Sequence, residues 1–194
     1  MTPKAPRTFR LVPRLVLLAI AACGSAGAHE LQENRATLVQ REANFVTMTL
    51  YVDLPAVLHH ELSPQRSFAE FAVAHANMPP DAFKAALMRV TTRMQSETQA
   101  TTTKGRTLAF AHWAWPDAPR VQEALRDRLM EIVVAPGDPT HTAPLDVRAE
   151  LHSDLPITAL RVRFAPVLGR VMVVSYRPKQ VWADSRRPSP AITF

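Results

Sequence analysis

Phe45-Val46-Thr47-Met48-Thr49-Leu50-Tyr51-Val52 alternates with a period of two. Val46, Met48, Leu50 and Val52 are apolar, and Thr47, Thr49 and Tyr51 fill the positions between them. Successive side chains of a strand point to opposite faces, so this stretch reads as a strand with one buried and one wet face. Upstream, Arg35 to Arg41 reads as its hairpin partner across a Glu42-Ala43-Asn44 turn. A half-buried hairpin needs a cover for its apolar side, which the rest of the chain must supply.

Downstream the period changes. Asp53-Leu54-Pro55 ends the strand and starts a short helix through Leu62. Ser63-Pro64 opens a second helix, with Phe68, Phe71, Ala72 and His75 on one face. Met78-Pro79-Pro80-Asp81 stops it and caps a third, whose stripe is Phe83, Leu87, Val90 and Met94. A threonine-rich turn and Lys104-Gly105 lead into a strand over 106–113. Asp117 starts a fourth helix with Val121, Leu125, Leu129 and Ile132 inward, while Arg120, Glu123, Arg126, Asp127 and Arg128 read as its solvated face.

After the break at Pro136-Gly137-Asp138-Pro139 the chain reads as strands only. Leu145 to His152 and Leu160 to Phe164 alternate, whereas Val171 to Tyr176 is apolar at nearly every position, as a central strand would be. Gln180 to Ala183 reads as a last edge strand. This order predicts an α+β fold, an immunoglobulin-like β-sandwich with the helical stretch 54–98 inserted and the helix at 117–132 covering one end. A single antiparallel sheet with helices on one face is the alternative.

The start of the chain supplies an address. Lys4, Arg7, Arg10 and Arg14 precede the apolar run Leu15 to Ala22, and small residues follow, ending Ala26-Gly27-Ala28. These are the three parts of a secretory signal peptide, and the run is shorter than the roughly 20 apolar residues a membrane span needs. The expected organisation is a signal peptide at 1–28, one exported domain at 29–184 and a Pro/Arg-containing tail at 185–194, with no transmembrane segment in the mature chain and a periplasmic location. Ile20-Ala21-Ala22-Cys23 resembles a lipoprotein box, the competing route, in which Cys23 is acylated and becomes the first residue.

Removing the signal takes four of the six net positive charges, leaving 6 − 4 = +2 on 194 − 28 = 166 residues. So small an excess gives no reason to expect nucleic acid as a partner. The single cysteine, Cys23, leaves with the signal, which excludes thiolate catalysis, disulfides and zinc–cysteine sites from the mature chain. G-x-S-x-G and H-E-x-x-H are missing, and five glycines leave little for a nucleotide-cradling loop.

The sharpest candidate chemistry is the new N-terminus. His29 would offer its free amine and its imidazole as a chelating pair, which suits Cu(II), Ni(II) or Zn(II). His112, His141 and His152, on or beside predicted strands, are the candidate partner ligands. An N-terminal histidine on a β-sandwich resembles the lytic polysaccharide monooxygenases and the small periplasmic copper carriers, although the carriers' Asp-Gly-His pattern is missing. The plainer reading is that some residue must follow the cut, and here it is histidine. His59-His60 would diverge on a helix, and His75 falls on an apolar face with Phe68 and Phe71, as a core histidine would. Met94 belongs to a core stripe, and Met88 is read with it as a gap-filler rather than a copper ligand. Trp113 and Trp115 on one side of a strand form either an aromatic platform for a partner or a rim anchor of the core. Glu123, Asp127 and Glu131 share a helical face interleaved with arginines, a pattern of surface pairing rather than acid–base work.

His29-Glu30-Leu31 directly after an A-x-A site, followed by Arg35-Ala36-Thr37-Leu38-Val39, resembles the exported start of HupE/UreJ-type membrane proteins. Those are associated with hydrogenase and urease maturation and are thought to handle nickel or cobalt. The resemblance spans about a dozen residues, and this chain lacks the transport helices. It implies a soluble companion of an inner-membrane protein of HupE/UreJ type. The chain also resembles proteobacterial exported proteins to which no activity is assigned. The expectation is therefore a non-enzymatic periplasmic binding or accessory protein for Ni or Cu. The alternatives are a copper-dependent oxidoreductase of histidine-brace type and an interaction domain without ligand that docks through Trp113 and Trp115.

Overall fold

β1 (Asn34–Glu42) and β2 (Phe45–Val52) form the expected antiparallel hairpin, with Ala36 opposite Leu50 and Leu38 opposite Met48. The computed structural model describes residues 34–134 and 143–178. The signal peptide with Cys23, His29, the break at 136–139, His141, the strand expected at 180–183 and the tail lie outside the described residues.

Three helices follow, the short α1 (Leu54–Leu62) and α2 (Phe68–Ala76) and the longer α3 (Pro80–Glu97), and then β3 (Gln99–Thr102), β4 (Thr107–Ala109) and β5 (Ala111–Ala114). α4 (Ala118–Val134) leads to β6 (Leu145–His152), β7 (Leu160–Arg163), a 3-10 turn at Pro166–Leu168 and β8 (Val171–Tyr176). The strands make a five-stranded sheet in the order β5-β6-β2-β1-β8 and a three-stranded sheet in the order β4-β3-β7. All described pairings are antiparallel except β1 with β8. The fold is thus mixed α+β, and among the described residues no helix is long and apolar enough to cross a membrane.

The inner face of the large sheet is divided between two covers. Ala36, Leu50, Val52, Leu145 and Val147 lie under the helices with Leu58, Phe71, Phe83 and Leu125. Leu38, Val46, Met48, Ala149 and Leu151 lie under the small sheet with Ala100, Leu108 and Phe110. Both β2 and β6 pass from one cover to the other partway along their length.

Several sequence expectations change here. The threonine-rich segment is the central strand β3 of the small sheet, because Ala100 alone faces inward, fully buried, between its polar neighbours. The strand expected at 106–113 is two strands in different sheets, joined where buried Phe110 turns the chain from one to the other. α2 starts at Phe68 rather than Ser63, because Ser67 caps it: its hydroxyl accepts from Glu70 N, and Glu70 accepts from Ser67 N. Hydrogen bonds from the Ser67 side chain and then its backbone hold the Glu70 carboxyl below its usual range. β8 pairs with β1 alone among the described residues, so its apolar run does not make it a central strand there.

Arg126 and Arg128 of the α4 face read as solvated, and Gln122 beside them, also do structural work. Gln122, 6% exposed, donates to His75 O and Met78 O, and Arg126 donates to Ala76 O. These are end-of-helix carbonyls of α2 and the turn beyond, groups that have no partner within the helix. Arg128 ion-pairs with Asp53 and lies over the Phe68 ring, 4.6 Å from its centroid. Asp53 in turn caps α1, accepting from Ala56 N at 3.0 Å.

Asp53 therefore joins the end of β2, the start of α1 and the middle of α4. Loss of an N-cap alone costs about 1 kcal/mol. Asp53→Ala is expected to lower stability by about 2–3 kcal/mol in urea unfolding, and Asp53→Asn, which still caps, by about half of that. Equal losses in the two variants would show that the Arg128 contact carries the effect and the cap none.

Candidate functional site

Over β2 and β6 the outward face of the large sheet is polar, whereas Val39 on the same face of β1 is apolar and buried. Thr47, Thr49 and Tyr51 on β2 stand beside Asp146, Arg148, Glu150 and His152 on β6, because the same alternation that buries Val147 and Leu151 turns these residues out. Arg35 on β1 lies over the Tyr51 ring at 4.5 Å, and Arg41 Nε donates to Thr47 Oγ1 at 3.3 Å. Between them is a shallow cavity of about 400 Å³, lined by Arg41, Thr47, Tyr51, His112, Arg148 and Glu150 among others.

One irregularity in β5 shapes this face. Ala111 pairs with Glu150 and Ala114 with Arg148, so His112 and Trp113 together oppose the single residue between them on β6. This is a β-bulge, and His112 takes a φ of 49°, in the left-handed region that side chains with a Cβ seldom adopt. The extra residue lets two neighbours leave in different directions. Trp113 packs against both core clusters and donates from Nε1 to Phe110 O at 3.0 Å. His112 is exposed, with its ring 6.4 Å from that of His152 at 87°.

His152 is held from two sides. Phe45, its register partner on β2, stacks on it at 4.3 Å with the planes 12° apart. Glu150 Oε2 lies 3.4 Å from His152 Nε2, a long contact that leaves the nitrogen weakly engaged. Arg148 pairs with Asp146 at 3.2 Å across exposed surface.

Of the four histidines put forward as ligands, His112 and His152 are thus brought side by side on one face, and His29 and His141 lie outside the described residues. Among the described residues no group of three or more His, Cys, Asp or Glu side chains is arranged to hold a metal ion. The pair is a two-nitrogen arrangement with a carboxylate beside it, not a closed cage. Sequence reading missed Glu150 and Phe45, although both were legible in principle: Glu150 is two residues from His152 and therefore on the same face.

The other candidates have structural partners. His59 Nε2 lies 2.8 Å from Arg66 O, and His75 Nδ1 lies 2.9 Å from Phe71 O with its ring stacked on Phe71 at 4.1 Å. Trp113 and Trp115 stack on each other at 5.6 Å and 14°, half-buried against the helical core. Trp115 Nε1 is buried and has no acceptor among the described residues. The tryptophans thus form a rim of the core beside the bulge and show only part of their rings.

Comparison with known proteins finds no family model, no curated protein and no solved structure that matches the chain.

A left-handed backbone costs a residue with a Cβ about 1 kcal/mol relative to glycine. His112→Gly is expected to raise the thermal midpoint, and His112→Val, branched at Cβ, to lower it. A fall with glycine as large as with valine would mean that the ring's contacts, not its backbone, govern stability here.

Proposed function

We propose that this chain is an exported, non-enzymatic binding or accessory protein, and that the outer face of its large sheet takes a divalent transition metal, copper or nickel, through His112 and His152. The observation carrying this reading is the bulge in β5, which holds His112 in an unfavourable backbone conformation and thereby sets its ring beside His152. Strain persists where surrounding structure enforces it, and such places are often binding sites. Imidazole nitrogens on adjacent strands suit Cu(II) and Ni(II), and Glu150 offers an oxygen next to them. An open pair of this kind fits a protein that receives and releases an ion rather than one that locks it in. The free amine and ring of His29, if cleavage follows Ala28, are the proposed source of further nitrogen ligands.

The cleaved signal, the periplasmic address and a HupE/UreJ-type inner-membrane partner belong to the same proposal, supported by the basic head, apolar run and Ala26-Gly27-Ala28 of the sequence. We also read the two facing sheets as a reduced β-sandwich of immunoglobulin-like type, with the helical layer replacing part of the second sheet. The shared core of Leu38, Met48, Phe110, Leu151 and Ile157 supports this.

Calorimetric titration with Cu(II) and with Ni(II) tests the site. The processed chain should bind one of them, and His112→Ala with His152→Ala should weaken that binding at least about tenfold. One extra residue before His29 should weaken it further if the amine takes part. Binding unchanged by the double substitution, or no binding by the processed chain, overturns the assignment.

A further inference from the structure

The histidine pair has a measurable span, and the span selects among ions. An imidazole nitrogen sits about 2.0 Å from a bound transition metal, which puts the ring centroid about 3.2 Å from the ion. Two imidazoles on opposite sides of one ion therefore have centroids about 6.3 Å apart, against about 5.1 Å at the tetrahedral angle and about 4.5 Å at a right angle. His112 and His152 stand 6.4 Å apart, centroid to centroid. Only the opposed arrangement fits the rings where they stand.

Local structure holds that span. His152 is stacked on Phe45, its register partner on β2, at 4.3 Å and 12° from parallel. His112 leaves β5 from the bulge at a φ of 49°, and Trp113 beside it is held inward by both core clusters and by its bond to Phe110 O. Closing the pair to the tetrahedral span means pulling His152 off Phe45 or moving the His112 side chain on its strained backbone. Aiming the nitrogens needs no such change. The centroid lies close to the line of the Cβ–Cγ bond, so a ring turned about that bond redirects its nitrogens and keeps the span, and this torsion is a soft one. His152 turned over by half a revolution also keeps its stack. Glu150 Oε2, 3.4 Å from His152 Nε2, then suits the role of hydrogen-bond partner to one nitrogen while the other meets the ion.

We propose that this pair is a cuprous site, taking Cu(I) in line between one nitrogen of His112 and one of His152. This rests on the reading of the two histidines as a metal-binding pair, and it names the ion and its geometry. Imidazole is a copper ligand, and a singly charged d10 ion is satisfied by two donors in line. Zn(II) takes four donors near the tetrahedral angle, which the span does not match. Ni(II) and Cu(II) accept opposed imidazoles but call for further donors in the plane between them. Two-coordination also leaves the ion open around its axis, as release to another ligand requires.

Anaerobic titration of Cu(I) against a chromophoric cuprous chelator tests the proposal on the full chain carrying Cys23→Ser, which removes its one thiol. The chain should take up Cu(I) at least about tenfold more tightly than Ni(II) or Zn(II), and His112→Ala or His152→Ala should each weaken that uptake at least about tenfold. X-ray absorption of the loaded chain should show two nitrogen neighbours and the intense edge feature of an in-line cuprous ion. That spectrum needs no substitution in the pair, so it stands whether or not the alanine variants fold. Three or four neighbours around Cu(I), or Ni(II) or Zn(II) held as tightly through the same two histidines, overturns the cuprous assignment and leaves the metal-binding pair standing. Uptake of none of these ions, or uptake that neither substitution changes, overturns both.

Discussion

One face of β1, β2 and β6 must be removed from water, and everything else in the fold follows from how that is done. The inner side of these strands is an unbroken row of Ala36, Leu38, Val46, Met48, Leu50, Val52, Leu145, Val147, Ala149 and Leu151, each 9% exposed or less. Neither cover spans it alone. The helices take the half that begins at Leu50 and Val147, and the small sheet takes the half at Met48 and Ala149. Burial is worth about 25 cal/mol per Å² of apolar surface, and a chain with a single cysteine has no internal disulfide to add to it. The seam between the covers is therefore a constrained place, where Trp113 packs against both.

That seam explains the bulge. Trp113 must point inward to fill the junction, while the edge strand carrying it must still pair with β6 on either side. One extra residue reconciles the two demands, and the residue displaced outward is His112 with its positive φ. The candidate ligand pair is thus a consequence of core packing on the other face of the same strand. A change at Trp113 should move His112 even though the two side chains never meet.

Period and punctuation made much of this legible in the sequence. The hairpin, four helices, β6 and β8 follow from alternation, helical stripes and the prolines at 55, 64, 79, 80 and 116. What stayed hidden depends on contacts distant in the chain. Thr101 and Thr102 have turn-like neighbours, and only pairing with β7 and β4 makes them strand. Gln122, Arg126 and Arg128 look like surface residues until α2 and Asp53 arrive to use their donors. The apolar run of β8 is the informative failure: such a run signals burial on both sides, yet one of its edges has no described neighbour. Met172, Val173, Val174 and Tyr176 are accordingly exposed among the described residues, where a central strand would have them covered on both faces.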